Sequence, residues 1–386
     1  MRVLVVGASA AGLTTVEALR ADGFDGALTM VGDEVHLPYD RPPLSKSTGD
    51  GPGAGPPLLR PADRFAELDL DLRLGVRATA LDVVGHRVEL SDGTMINYGK
   101  LVIATGVHAR PLDLGPGVEV HTLRTHDDAV HLLTAADRAR RVLVIGAGFL
   151  GTEVAATLAT RGRSVTLVDR GSAPMINVLG PEAAEAVADL HRSHGVDLRS
   201  AVTVAEVAPS AEGHRFVLSD GSQVTADCVV AAIGSVPTVD WLAGSDLDLA
   251  NGVVCDDRLR AAEDVYAAGD VAAWRTGDGE VRRVEHRMNA TEQGMLVARN
   301  VLGADQPHQP VPYFWTDQYD CKVQAYGFPH TAAVRQVLSG DLTGGRWVVA
   351  HGRAGKLVGA VGCISPREMI KVRRMLASGT DWSELV

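Results

Sequence analysis

The chain has 386 residues, 46% hydrophobic and 22% charged, an ordinary balance for a globular protein with two or three cores. A formal net charge of -11 argues against general nucleic-acid binding, and no apolar run is long enough to span a bilayer. The 4 cysteines, Cys228, Cys255, Cys321 and Cys363, form no C-x-x-C or metal-ligand spacing. The reading is therefore a cytoplasmic protein without a metal, with cysteines as small core residues.

In chain order, RVLVVGASAAG at residues 2–12 is a short apolar run ending in a glycine-rich turn. It meets glycine where the apolar stretch of a signal peptide would continue. Residues 13–21 are predicted helix and 27–31 a second strand, reaching Asp33. HLPYDRPPLSK at 36–46 is read as a fixed loop, because its prolines prevent a regular helix or central strand at the start. Residues 48–61, rich in glycine and proline, are expected as surface loop, and 64–68 as a short helix. Residues 71–90 alternate as strands of a small antiparallel sheet turning at Ser91, Asp92 and Gly93. Residues 101–104 form a buried strand ending in Thr105 and Gly106.

Residues 127–139 are helical and lead into RVLVIGAGFLG at 141–151. A helix at 181–194 is capped by Gly195, and strands continue to Gly234. Residues 265–267 are a short strand before Gly269 and Asp270, and 289–302 a long helix. Beyond Pro312 come strand-like runs at 322–326, 346–350 and 356–361, then a closing helix at 366–376.

The two glycine turns are copies of one unit. In each, an uninterrupted Val/Leu run suits a strand covered on both faces. Gly7 and Gly146 allow the sharp turn, Gly148 lets backbone approach a pyrophosphate, and Gly12 and Gly151 let helix pack on strand. Ser9 stands in the first copy where the middle glycine belongs, and is small enough to permit the approach. The helix starts, with Ala10 and Ala11 in one copy and Leu150 in the other, offer N–H groups and a positive dipole end to phosphate. Asp33 and Asp169 follow at the spacing of a ribose-binding carboxylate. A second repeat, SDG to LVIATG and SDG to VVAAIG, ends at Gly106 and Gly234.

The second copy lies between two parts of the first. The expected domains are 1–108 with 236–309 for one dinucleotide, 109–235 for the other, and a C-terminal α+β domain at 310–386. The fold class is α/β, with two nested Rossmann-like domains.

The stretches PYDRPPLSK, LRT at 123–125, YAAGDVA, EHRMNATEQG and FWTDQYD carry a more specific signal. With them, nearly the whole chain resembles the FAD-dependent pyridine nucleotide-disulfide oxidoreductase superfamily, in its putidaredoxin-reductase-like, ferredoxin reductase branch. The resemblance implies a glutathione-reductase-like fold, FAD on the N-terminal unit and NAD(P)H on the middle one. It implies that Asp33 holds the adenosine ribose, that Arg41, Lys46, Ala78 and Arg124 contact FAD, and that Asp270 meets the ribityl chain. It places Lys46 near the flavin ring, paired with Glu153. Where many relatives carry tryptophan beside the flavin this chain has Arg287, which can stack, stabilise an anionic flavin, reach a partner or face solvent. Trp315 is the alternative aromatic wall. No cysteine precedes Cys228, which disfavours thiol–disulfide chemistry at the flavin.

The reading is an NADH-dependent ferredoxin reductase supplying an iron–sulfur ferredoxin, itself feeding an oxygenase. Arg170 beside Asp169 keeps NADPH open as the nucleotide. Two rivals stand beside this reading: another flavin enzyme, such as an NADH oxidase or rubredoxin reductase, and a non-enzymatic redox-sensing flavoprotein. Arg367, Lys371 and Arg374, flanked by Arg373, fall on one face of the closing helix and are the candidate ferredoxin surface. Arg282, Arg283 and Arg287 are the alternative. Oligomeric state is left open.

Overall fold

The structure is a computed structural model that describes residues 1–46, 55–277, 279–342 and 345–385. It divides into two units. The surface loop expected at 48–61 lies partly outside the described residues, which resume at Gly55.

The first unit comprises Met1–Asp40, Gly55–His108 and Val236–Pro312. Its main sheet has six strands in the order Arg260–Ala262, Val265–Ala267, Lys100–Ile103, Arg2–Val6, Ala27–Val31, Leu70–Arg73. All neighbours are parallel except the first pair. Val3, Leu4 and Val5 are fully buried, as an unalternating run between covering layers requires. Helix Ala10–Ala21 follows the first turn, and helix Arg287–Val301 lies against it. Glycine sets that approach: a Cβ on Gly294 would stand 2.7 Å from the Ala11 carbonyl.

One expectation is corrected here. Leu70–Arg73 is the parallel edge of the main sheet, not part of the antiparallel one. The antiparallel sheet holds Ala78–Asp82, Arg87–Leu90 and Met95–Asn97. Alternation alone does not separate an edge strand from a hairpin strand. A further small sheet joins Val253–Cys255, Ala272–Arg275 and Val281–Arg283.

The second unit comprises Arg41–Ala54, Ala109–Ser235 and Tyr313–Val386. It carries a five-stranded parallel sheet in the order Asp197–Arg199, Ser164–Val168, Arg141–Ile145, Cys228–Ala231, Val120–His121. A three-stranded antiparallel sheet runs from Val204 to Ala226. The C-terminal residues form a five-stranded antiparallel sheet in the order Tyr313–Gln318, Cys321–Gly327, Lys356–Cys363, Arg346–Arg353, Val334–Asp341. Its inner face shares one core with the helices of the parallel sheet: Phe314, Val323, Trp347 and Val361 cluster with Leu179, Ala183 and Val187. Helix Pro366–Ala377 closes the chain, burying Met369 and Val372.

The cysteine expectation holds for Cys228 and Cys255, which are free and buried. It is corrected for Cys321 and Cys363. Though 42 residues apart, they lie on neighbouring antiparallel strands and are joined in a disulfide. Sequence separation carries no information about proximity across a sheet. Among the described residues no helix is long and apolar enough to cross a membrane, and no His, Cys, Asp and Glu cluster could hold a metal ion.

Candidate dinucleotide sites and the Lys46 cluster

The two glycine turns have the same construction. Gly7 and Gly146 take φ of +120° and +104°, backbone that side chains rarely adopt. A Cβ on Gly7 would overlap the Ala104 carbonyl, and one on Gly146 the Ala232 carbonyl. Side chains on Gly12 and Gly151 would overlap the carbonyls of Gly7 and Gly146. Each turn is therefore closed by its own helix. At Gly148, by contrast, an added Cβ would meet nothing within 4 Å. Neither helix start carries a side-chain cap on Ser9 or Gly148. Tight backing and uncapped helix starts fit a pyrophosphate at each turn, and the second adds open space at Gly148.

In the first unit Ala10 and Ala11 are buried in the first helical turn, and Ala78 opens the antiparallel sheet, also buried. Thr105 donates to the Thr238 carbonyl at 2.8 Å, and Gly106 beside it has φ of +67°. Asp33 is exposed. Asp270 is half-buried after the strand Val265–Ala267, and its carbonyl accepts from Arg283 at 3.0 Å. The turn before it is fixed by Gln293, fully buried, whose Oε1 accepts the Gly269 N–H at 2.8 Å. Arg287 pairs with Asp40 at 2.6 Å and donates to Thr291. Arg282 and Arg283 are likewise paired, with Glu280 and Glu285.

In the second unit Asp169 is tied to the turn it follows. Its carboxylate accepts the Ala147 N–H at 2.6 Å and the Gly171 N–H at 2.5 Å, while Arg170 is exposed. Leu150 is half-buried in the first turn of helix Phe149–Thr160, and Gly234 accepts from the Arg110 N–H at 2.9 Å. Arg41, Lys46, Arg124 and Trp315, expected around FAD, also belong to this unit. Arg41 donates to the Arg124 carbonyl at 2.6 Å, where the Thr125 and Asp128 capping box starts helix His126–Arg138.

Lys46 and Glu153 meet at 3.2 Å. Glu153 is only 7% exposed, so its charge needs partners in place of water. It accepts from Ser45 Oγ at 2.5 Å, Thr316 Oγ1 at 2.7 Å and the Asp317 N–H at 3.3 Å. Lys46 has a second carboxylate, Asp317, at 3.3 Å. Lys46 and Lys322 lie over the Trp315 ring at 5.5 and 5.6 Å, and Trp315 stacks on Tyr313. The lysine thus sits between two carboxylates and an aromatic face.

Ser45, Thr316, Asp317, Gln318, Asp40 and Gln293 escaped the sequence reading. All lie inside or next to motifs it quoted. Strand Tyr313–Gln318 is alternately half-buried and buried, so Trp315 and Asp317 share one face and Thr316 and Gln318 the other. The free thiols offer no redox centre, since burial raises the Cys228 thiol to about 12 and the Cys255 thiol further.

Residues 1–294 match the pyridine nucleotide-disulphide oxidoreductase family, which brings FAD and NAD(P)H as cofactors, and residues 313–384 match the reductase C-terminal family. The chain is 37% identical over 385 residues to the anthranilate 1,2-dioxygenase system ferredoxin–NAD(+) reductase component of Burkholderia cepacia, covering 97% of this chain and 94% of that one. It superimposes with a TM-score of 0.93 and 32% identity on the ferredoxin reductase for the CYP199A2 system of Rhodopseudomonas palustris, covering 98% of this chain and 95% of the other. Against putidaredoxin reductase in its covalent complex with putidaredoxin, the TM-score is 0.90 at 28% identity, covering 100% and 95%. The chain belongs to the pyridine nucleotide-disulphide oxidoreductase family, in the group that carries the reductase C-terminal domain.

Proposed function

We propose that the chain is an NADH-dependent ferredoxin reductase, passing electrons from NADH through FAD to an iron–sulfur ferredoxin that supplies an oxygenase. The observation that carries the reading is the doubled turn: two pyrophosphate cradles in one chain, one per cofactor. Held at the first turn by Gly7, Ala10, Ala11 and Gly12, FAD would supply the chemistry that links two-electron donation by NADH to one-electron delivery. The protein's part is to bind, orient and set charge.

Gly7, Ala10, Ala11 and Gly12 cradle the FAD pyrophosphate in this reading, with Asp33 on the ribose and Asp270, held by Gly269 and Gln293, on the ribityl chain. Gly146, Gly148, Leu150 and Gly151 cradle the nicotinamide dinucleotide. Asp169, already bonded to the turn, accepts the 2′-hydroxyl and repels a 2′-phosphate, which favours NADH despite Arg170. The Glu153 and Lys46 pair supplies a fixed cation for the redox step.

The partner reading rests on two supports. Full-length relatives are reductase components of ferredoxin-using systems. Arg367, Lys371, Arg373 and Arg374 are all exposed on the closing helix, with Ile370, 52% exposed, among them. Cations around an exposed apolar residue suit an acidic protein surface. A cytoplasmic location belongs to the same reading. The test is steady-state NADH oxidation with a panel of ferredoxins, rubredoxin and oxygen as acceptors. A ferredoxin should be reduced with a kcat/KM far above that for oxygen, and oxygen as the best acceptor would replace the reading by an oxidase.

A further inference from the structure

Behind Glu153 lies a buried polar chain in which every proton position follows from the partners. Thr152, Glu153, Thr316, Gln318 and His191 are all at most 7% exposed. The Thr152 hydroxyl lies 2.9 Å from the carbonyls of Gly148 and Phe149, which only accept, so its single hydrogen is committed there. Thr152 Oγ1 must then accept from Gln318 Nε2 at 2.8 Å, which orients the Gln318 amide. The same Nε2 donates to Thr316 Oγ1 at 3.2 Å and faces the Met175 thioether at 3.9 Å. Thr316, having accepted, turns its own hydrogen to Glu153 Oε1 at 2.7 Å.

On the other side, Gln318 Oε1 can only accept, so His191 Nε2, 2.9 Å away, carries the hydrogen. Burial pushes the His191 pKa down to about 4, so the ring is neutral and Nδ1 accepts from the Tyr319 hydroxyl at 3.2 Å. All the bonds run one way, from Tyr319 through His191 and Gln318, and the chain ends on the Gly148 carbonyl and the Glu153 carboxylate. Aligned donors polarise one another toward the terminal acceptor.

We propose that Gln318 is a positioning residue for hydride transfer: one side chain holds both the start of the second dinucleotide helix, through Thr152, and the carboxylate that fixes Lys46, through Thr316. The proposal rests on the reading that the Glu153 and Lys46 pair serves the redox step. Gln318 touches neither cofactor cradle itself and acts through the two threonines.

The test uses the full chain loaded with FAD. Stopped-flow reduction by NADH should show the limiting rate constant falling about tenfold in Gln318→Met, with FAD content unchanged. In a Glu153→Gln background the same substitution should cost clearly less than tenfold further, because its route to Lys46 is already cut and only the Thr152 route remains. Full multiplication of the two effects, or a wild-type rate in a folded Gln318→Met protein, overturns the proposal. A second readout is independent of turnover. With 15N-labelled histidine, the His191 ring should appear as the fixed Nε2–H tautomer in the wild type and lose that bias in Gln318→Met. Gln318→Glu keeps the acceptor for His191 but loses the donors to both threonines; it should keep the tautomer and still slow reduction, and it serves if the methionine variant does not fold. An Nδ1–H tautomer in the wild type refutes the hydrogen-bond chain. A wild-type rate in Glu153→Gln alone refutes the underlying reading, while the tautomer result still decides the chain of bonds.

Discussion

Reversing Arg367, Lys371 and Arg374 to glutamate changes the closing helix by six charge units and should disable ferredoxin docking. The three side chains are exposed on one face, while Met369 and Val372 hold the helix from the other, so the fold should tolerate the change. In water, two unit charges about 10 Å apart interact by about 0.4 kcal/mol. Screening at 0.1 M salt, where the Debye length is about 10 Å, cuts that to about 0.15 kcal/mol. Six charge units facing even three carboxylates of an acidic partner then amount to about 2.7 kcal/mol, about a hundredfold in ferredoxin KM. The assay is NADH-driven ferredoxin reduction at rising salt, beside turnover of a small uncharged quinone. The wild type should weaken with salt toward the mutant, whose own KM should fall as its repulsion is screened. NADH reduction of the flavin and quinone turnover should stay unchanged. A triple mutant with a normal ferredoxin KM at low salt would refute the assignment of this face.

Other outcomes follow from the same structure. Gly12→Leu should give a protein without retained FAD and less stable by about 3 kcal/mol, because its Cβ has no room beside the Gly7 carbonyl; absorbance at 450 nm and thermal melting check both. Stopped-flow reduction should favour NADH over NADPH, since Asp169 presents a carboxylate at the second turn; equal efficiency would assign selection to Arg170. Stability should fall as pH drops from about 6.5 toward 4. Burial holds His191, His308 and His351 each at about 4, below the usual histidine value, so the unfolded chain binds protons first. Each ring should contribute a slope of about 1.4 kcal/mol per pH unit in that window, measured by denaturant titration at pH 7 and pH 5. Equal stability at the two values would show that the rings reach solvent.

The parallel sheets and their turns were legible because each signal is local. An unbroken Val/Leu run followed by glycine at a fixed offset has few other solutions. The Lys46 cluster was half legible. Family resemblance pointed to Lys46 and Glu153, but not to Ser45, Thr316 and Asp317, which close the site. With Glu153 they come from three separate stretches of chain, and the packing of Pro42–Ser45 and of strand Tyr313–Gln318 on helix Phe149–Thr160 brings them together. Arg287 shows the same limit: its environment is set by Asp40, 247 residues away in sequence. The cysteine pair failed to show for the same reason, being a contact of two strands that are not neighbours in the chain.

The most instructive gap is within the repeat itself. By sequence Asp33 and Asp169 are the same residue of two copies. By hydrogen bonding they are not. Gly7 donates to the Val31 carbonyl and Gly146 to the Val168 carbonyl, both at 2.8 Å, which makes Gly32 the counterpart of Asp169. Asp33 stands one residue further along. Asp169 reaches back to the Ala147 N–H, whereas Asp33 is exposed, and a Cβ on Gly32 would stand 2.6 Å from that of Ala8. The second turn thus holds its acid by its own backbone N–H groups, while the first has its acid exposed one residue further on. A spacing of about twenty residues finds both acids; only register against the glycine turn shows that they stand one residue apart.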